Sequence, residues 1–370
     1  MLRVLVVVGT RPEAIKLAPL CLALRADDHF ELEVCATSQH GTMLLPMLEF
    51  FGVRPDHDLK VMQAGQTLAD VTTRVLDGIS ALLARGRYDV IVVQGDTTTV
   101  FAASLAAFYA RVPVAHVEAG LRSGDLASPF PEEANRRLAD VLSRWLFAPT
   151  NAARDHLVAE GYSPESVFVT GNTGIDALLL AAQMVKAAPH SQIVQLPANA
   201  KLVLVTAHRR ESFGEGFEGI CRGLLDLVAA EPSVHLVYPV HPNPNVTATV
   251  EKRLAGHDRI HLVPPLDYPD FVQLLTQASL VLTDSGGVQE EAPALGRRTL
   301  VMRDTTERPE GVTAGVAELV GTDPERITRR ARALLTLPSL TAQSPYGDGQ
   351  ASSRIVEVLK TGALMRPFGV

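Results

Sequence analysis

Between Glu118 and Glu133 the chain places four carboxylates, Glu118, Asp125, Glu132 and Glu133, within sixteen residues, with Arg122 among them and Arg136 and Arg137 just after. They lie in HVEAGLRSGDLASPFPEEANRR, whose start closes the apolar run VPVAHV, a segment that reads as a buried strand. Carboxylates at and just beyond a strand's carboxyl end sit where open α/β sheets place their ligands. Two acids near one pocket can be driven to different pKa values, which is what removing a proton and returning it require. The chemistry this suggests is acid–base work on a small anionic substrate.

Other motifs supply the means to hold such an anion. GTRPEAIK, Gly9 to Lys16, follows the first apolar run. Pro12 suits the first turn of a helix, and Arg11 before it is expected to be extended. Arg11 and Lys16 then flank a helix N-terminus, a ready anion site, although an ordinary turn with solvated charges reads the same way. In VVQGDTTTVFAAS, Asp96 ends the strand Val90–Val93. An Asp before Thr residues also reads as a helix N-cap, yet this strand neighbours the one delivering Glu118, so both acids are expected to face one ligand.

In TAHRRESFGEGFEG, His208 follows the strand Leu202–Thr206, beside Arg209 and Arg210. A neutral His serves as acid or base near neutral pH, and as a cation it holds diphosphate. LTDSGGVQEEAPALG carries the most specific anion signal: Ser285, Gly286 and Gly287 are expected to open a helix and turn backbone N–H groups toward a diphosphate. Glu290 and Glu291 are expected in its first turn, either as favourable end charge or as acids gripping ribose hydroxyls. In RDTTERPEG, Arg308 before Pro309 repeats the Arg-Pro pair, a cation suited to an anionic leaving group.

The elements that must position these residues alternate along the chain. Strands are predicted at Val4–Val8, Leu32–Ala36, Val90–Val93, Pro113–Val117, Val167–Thr170, Leu202–Thr206, His235–Pro239, Ile260–Val263, Leu280–Thr283 and Thr299–Met302. Most are continuous apolar runs, as in strands covered on both faces. Helical patterns lie between them at Thr67–Leu83, Thr99–Tyr109, Glu132–Leu142, Phe217–Ala229 and Tyr268–Gln277. Such an order gives an α/β fold with parallel sheets, here two Rossmann-like doubly wound domains expected to face each other across a cleft. The first is expected to be residues 1–171, carrying the acids, and the second 172–351, with the boundary near GNTG and the polar stretch KAAPHSQIVQLPANA. A C-terminal helix over about 352–370 is expected to pack back on the first domain.

Composition narrows the function. With 370 residues, 46% of them hydrophobic, there is material for two ordinary domains. A net charge of −7 argues against nucleic acid as a partner. Cys21, Cys35 and Cys221 read as buried apolar residues of a reducing compartment, and no Cys/His group has zinc-ligand spacing. No run approaches the roughly 18 apolar residues of a membrane span, and Met1 leads straight into LRVLVVVG without a signal-peptide pattern, so a cytoplasmic, membrane-free protein is expected. Without a metal site, and without GxGxxG after the first strand, a nucleotide-diphosphate sugar suits the inventory better than NAD. Two reactions stay open on the residues alone: transfer of the sugar to an acceptor, or inversion of one of its carbons.

The strings GTRPEAIK, QGDTTT, HVEAGLRSGD, PEEANRR, HRRES, TDSGGVQEEAPALG and RDTTERPE, in this order, resemble the non-hydrolysing UDP-N-acetylglucosamine 2-epimerases, and the likeness runs from Gly9 to the YGDGQAS loop. The resemblance implies a GT-B-like pair of domains, usually a homodimer. It implies reversible conversion of UDP-N-acetylglucosamine to UDP-N-acetylmannosamine for surface polysaccharide synthesis, by loss and re-addition of UDP, with no metal and no cofactor. Carried over by motif, Asp96, Glu118 and Glu132 resemble the family's catalytic acids and His208 its catalytic or diphosphate-binding histidine. Arg11, Lys16, Arg136, Ser285, Gly286, Gly287 and Arg308 would bind substrate, Glu291 the ribose, and Phe271 would lie by uracil. Gln39, Arg74, Arg209 and His241 resemble an allosteric substrate site. Two departures stand out: Leu266 where some relatives carry Gln, and HGTM after Gln39.

Overall fold

The computed structural model describes residues 1–39, 43–188, 193–338, 340–341 and 344–362. The chain divides into two compact units: Met1–Ala177 with the segment from Tyr346 onward, and Leu178–Pro345. Each is built on one open parallel sheet.

In the first unit the strands are β1 (Leu2–Val8), β2 (Phe30–Ala36), β3 (His57–Asp58), β4 (Val90–Gln94), β5 (Val114–Val117), β6 (Trp145–Ala148) and β7 (Val167–Val169). Their order is β3-β2-β1-β4-β5-β6-β7, every pairing parallel. Val4 to Val8 and Val90 to Val93 are buried throughout, because helices cover both faces. Helices Leu68–Arg85 and Thr98–Tyr109 pack on one another and on this sheet through Val71, Val75, Ile79, Val100, Ala103 and Ala107.

The second unit repeats the plan with β8 (Lys201–Thr206), β9 (Val234–Pro239), β10 (Ile260–Val263), β11 (Leu280–Thr283), β12 (Thr299–Val301) and β13 (Ala317–Leu319), ordered β10-β9-β8-β11-β12-β13. Its core joins Val203, Val205, Leu236 and Leu282 of the sheet to Phe217, Ile220, Leu224 and Ile327 of its helices. In both sheets the winding reverses between the first and fourth strands of the unit. The crevice outside the carboxyl ends at that reversal is where such sheets take ligands. GTRPEAIK and QGDTTT follow β1 and β4; HRRES and TDSGG follow β8 and β11.

The doubly wound α/β expectation holds, and the ten predicted strands are present. Strands β3, β6 and β13 were not predicted: two to four residues are too few to show a period. Arg11 corrects another expectation. The helix Arg11–Arg25 begins at Arg11 after an extended Thr10, so the residue before Pro12 is helical rather than extended. Cys21, Cys35 and Cys221 are buried free thiols in helix, strand and helix. No helix among the described residues is long and apolar enough to cross a membrane.

The helix Ala351–Thr361 packs on Arg11–Arg25 within the first unit, and residues 363–370 of the predicted tail helix lie outside the described residues. Asp176 holds its start: the backbone N–H groups of Ala351 and Ser352 donate to the two carboxylate oxygens at 3.2 and 2.8 Å. These are orphan donors of a helix N-terminus with no partner in their own helix. Asp176→Ala is expected to cost about 1–3 kcal/mol and to expose the tail to protease before the rest of the unit. Urea unfolding and timed proteolysis check this; an unchanged midpoint and an intact tail would refute it.

Candidate functional site

The loops after β1, β4 and β5 meet in one cavity of the first unit, of about 200 Å³, lined among others by Lys16, Gln94, Asp96, Glu118 and Arg136. Ligand pockets for drug-sized molecules are commonly about 300–1,000 Å³, so this one has room for a part of such a ligand. Glu118 follows β5 directly and has φ +68°, a left-handed conformation rarely adopted by residues with a side chain and one that gathers at functional sites. Its Oε2 accepts from Lys16 Nζ at 2.5 Å and from Gln94 Nε2. Asp96 accepts through Oδ2 from Arg136 Nη2, and its backbone carbonyl accepts from Asn135 Nδ2 at 3.0 Å.

Burial raises the Asp96 pKa above the ordinary carboxylate value. The Arg136 charge opposes the rise and the Glu118 charge adds to it. The N-cap reading of Asp96 is corrected. Thr97 caps the helix Thr98–Tyr109, accepting from Val100 N–H at 3.3 Å, because an Asp turned to Arg136 is not available to the helix. Asp96 and Glu118 are thus brought together, each with its own cation. Glu132 is the first residue of the helix Glu132–Leu142, half-buried, and is not among the cavity's lining residues. Its neighbour Glu133 is fully buried, accepting from Ser123 N–H at 3.0 Å and pairing with Arg136 at 3.3 Å. Asp125 is exposed on the loop between, and Arg11 is exposed at its helix start.

Sequence reasoning passed over Glu13, which also lines the cavity. Oε2 accepts from Gly9 N–H at 2.5 Å, and Oε1 from the hydroxyls of Thr97 at 2.7 Å and Thr10 at 3.1 Å. Burial nevertheless raises its pKa from 4.5 to about 7, outweighing these donors. An acid in a helix turn otherwise facing the core (Ala14, Leu17, Ala18) was the available signal.

In the second unit His208 and Arg209 follow β8, and Asp284, another residue not singled out, follows β11. Fully buried Asp284 accepts through Oδ2 from the backbone N–H groups of His208 and Arg209 at 2.6 and 2.7 Å, and its Oδ1 lies 3.4 Å from His208 Nδ1. Burial pulls the His208 pKa below the ordinary imidazole value; Asp284 opposes this, while His241 and Arg209 reinforce it. His241, exposed, stacks on His208 with centroids 5.1 Å apart. Ser285 is the N-cap of the helix Gly286–Ala294, with its side chain making no capping bond. Arg209, Glu307 and Arg308 surround Gly286. Arg308 Nε donates to Glu290.

Glu290 and Glu291 lie in the second turn of that helix, not the first, since the helix starts at Gly286. Favourable end charge therefore does not account for them. Phe271 is half-buried in the first turn of Tyr268–Gln277. Of the remaining candidates, Gln39 accepts from the Thr99 hydroxyl at 2.7 Å, and Arg74 donates to Val61 O and Gln66 Oε1. Most of the HGTM departure after Gln39 lies outside the described residues.

Buried polar atoms are nearly always paired, yet several here have no hydrogen-bond partner among the described residues. They include Glu133 Oε1 and Arg136 Nε by the first loop cluster, and Asp284 Oδ1, Arg209 Nε and Gln289 Nε2 by the second. No group of three or more His, Cys, Asp or Glu among the described residues is arranged to hold a metal ion.

Fold and site define a class: a doubly wound α/β protein with paired acids in one unit and N–H and cationic groups in the other. The chain belongs to the UDP-N-acetylglucosamine 2-epimerase family, whose model matches residues 22–360. It is 52% identical to the UDP-N-acetylglucosamine 2-epimerase of Salmonella typhimurium over 97% of this chain and 99% of that one. It is 47% identical to the Bacillus subtilis enzyme of the same name, over 97% and 95%. The solved UDP-GlcNAc 2-epimerase of Neisseria meningitidis, bound to UDP-GlcNAc, superimposes with a TM-score of 0.89 at 42% identity, covering 97% of this chain and all of that one.

A pH dependence follows from Glu13. Its folded pKa, about 7, lies above the usual 4.5, so ionising it disfavours the fold as pH rises from about 4.5 to 7. Removing the ionisation in Glu13→Gln is expected to raise stability relative to the parent across that window, levelling off above it at a difference on the order of 3 kcal/mol. Unfolding midpoints measured at several pH values check this; parallel curves would refute it.

Proposed function

We propose that the protein interconverts UDP-N-acetylglucosamine and UDP-N-acetylmannosamine. The observation that carries the reading is the pair Asp96 and Glu118 lining one cavity, each held by its own cation. The relatives' names supply the substrate.

The proton on carbon 2 is not next to a carbonyl, so direct removal would leave an unstabilised carbanion. Breaking the bond from carbon 1 to the UDP oxygen makes carbon 1 cation-like and acidifies its neighbour. A carboxylate takes the proton, the C–H electrons form the carbon 1–carbon 2 double bond, and UDP leaves with the other pair. The product of this half is a 2-acetamidoglucal. Return of a proton to the opposite face and re-attack by UDP at carbon 1 inverts carbon 2. Such a route needs one acid to give and one to take, which matches a half-buried carboxyl with a raised pKa beside another carboxylate.

In this reading residues 1–171, with the tail, handle the sugar, and 172–351 hold UDP. Arg11, Lys16, His208, the Ser285–Gly287 turn and Arg308 hold the diphosphate, where preorganised N–H and positive groups stabilise the departing charge. Glu291 takes the ribose and Phe271 lies beside uracil, Arg136 adds a substrate contact, and Glu132 stands with Asp96 and Glu118 as a third catalytic acid. Gln39, Arg74, Arg209 and His241 take a second, activating substrate molecule. The protein acts as a cytoplasmic homodimer without metal or cofactor.

Turnover of UDP-N-acetylglucosamine in deuterated water, followed by proton NMR, is expected to place one deuterium on carbon 2 of the product. Unlabelled product would overturn the proton-exchange route. Accumulation of UDP with free N-acetylmannosamine would mean hydrolysis, and UDP release dependent on an added acceptor would mean sugar transfer. Asp96→Asn and Glu118→Gln are each expected to lower kcat by about 10²–10⁴-fold with UDP binding retained. Undiminished kcat in both would remove them from the chemistry.

A further inference from the structure

Behind the Asp96 loop lies a buried ionic chain that the proposed reaction does not use. His116, in β5, has no exposure to solvent. Its Nε2 lies 2.7 Å from the carbonyl oxygen of Gly95, and its Nδ1 lies 2.6 Å from Oδ1 of Asp140. A carbonyl oxygen only accepts, so Nε2 carries a hydrogen. The other oxygen of Asp140 accepts from Arg122 Nη2 at 2.7 Å, and Arg122 also donates to Glu160 at 2.8 and 2.7 Å. A guanidinium bound to a carboxyl group favours its anionic form. The proton shared by Nδ1 and Oδ1 therefore stays on the ring, and the ring donates from both nitrogens.

We propose that His116 is a positioning residue, a buried imidazolium that grips the Gly95 carbonyl from behind and thereby fixes the aim of the Asp96 carboxyl. The proposal rests on the reading that Asp96 exchanges a proton with the sugar. Gly95 has φ +83°, its N–H donates to Val117 O at 3.0 Å, and the next carbonyl, that of Asp96, accepts from Asn135. The turn is thus tied on three sides, and His116 supplies one of them.

A neutral ring with its hydrogen on Nε2 would turn a lone pair toward Asp140; with its hydrogen on Nδ1 it would release Gly95. Only the charged ring serves both partners. The arrangement resembles the His–Asp half of a catalytic triad, but here Nε2 faces a carbonyl rather than a nucleophile, so the ring has no lone pair with which to act as a base. The charged groups around it are Asp140 from the helix Glu132–Leu142 and Asp96 after β4, with Arg122 and Glu160 beyond Asp140. Burial lowers the ring's pKa, but the charge and hydrogen bond of Asp140, the Gly95 carbonyl and the Asp96 charge outweigh it, leaving a net rise.

Two measurements on the full-length protein test this. With ¹⁵N-labelled histidine, His116 is expected to show two ring N–H protons, both nitrogens with protonated shifts, at neutral pH. A single ring N–H would overturn the charged state. In His116→Gln, kcat is expected to fall on the order of 100-fold, the penalty of a carboxyl misplaced by about 1 Å, with KM and UDP affinity within about threefold of the parent. His116→Phe, read by circular dichroism and its urea-unfolding midpoint, shows whether the first unit still folds. Undiminished kcat in His116→Gln beside an inactive Asp96→Asn overturns the positioning role alone. Full activity in Asp96→Asn overturns the reading of Asp96, and the positioning role with it.

Discussion

A carboxyl group taken out of water at the end of β4 needs a positive partner there, and for Asp96 that partner is Arg136. Burial pushes its pKa up, Arg136 pulls it down, Glu118 pushes up again and Lys16 pulls down. A stronger cation alone would leave a permanent anion with no proton to return. A stronger burial alone would leave a neutral acid with no appetite for one. Opposed influences on one carboxyl are what acid–base work requires. Removing Arg136 would leave the half-buried Asp96 charge without its cation, so Arg136 also holds the loop together.

The helix Glu132–Leu142 carries much of this arrangement on one face. Glu133, Arg136 and Asp140 are three and four residues apart, the spacing that stacks side chains along one side of a helix. Arg136 reaches Asp96 and Glu133, while Asp140 reaches His116 and Arg122. A single rigid element thus supports Asp96 from the carboxyl side and, through His116, from its backbone. Within the dense cluster of acids in the sequence, Glu118 lines the cavity while Glu133 holds the frame.

How much of this was legible follows from the range of each interaction. Continuous apolar runs such as Val4–Val8 and Leu280–Thr283 announced the sheets, because burial on both faces leaves its mark in every residue. Trp145–Ala148 was missed because four residues beside Arg144 show no period, and His57–Asp58 and Ala317–Leu319 are shorter still. Among candidate site residues, Asp96, Glu118, His208 and the Ser285–Gly287 turn were legible because they leave strand ends next to glycine or in charged strings. Glu13, His116 and Asp284 were not, since Glu13 acts through Thr97, 84 residues away, His116 through Gly95 and Asp140, 21 and 24 residues away, and Asp284 through His208, 76 residues away. Local propensity fixed neither the start of the helix at Arg11 nor the choice of Thr97 over Asp96 as cap. The competing tertiary partner, Arg136 in the second case, decided it.

The two units show how one winding order serves different chemistry. Each reverses direction between its first and fourth strands, and each places an aspartate just after that fourth strand. Asp96 meets an arginine side chain at a cavity wall and keeps access to a ligand. Asp284 meets two backbone N–H groups, is wholly buried, and shapes the turn that carries His208 and Arg209. In the proposed reading, the partner is what separates the reactive carboxyl, Asp96, from the scaffolding one, Asp284. A guanidinium leaves lone pairs and a path to solvent, whereas paired amides consume one oxygen and close the loop over it. Reading such a site from sequence therefore means asking of each acid which donors its neighbours in space will bring.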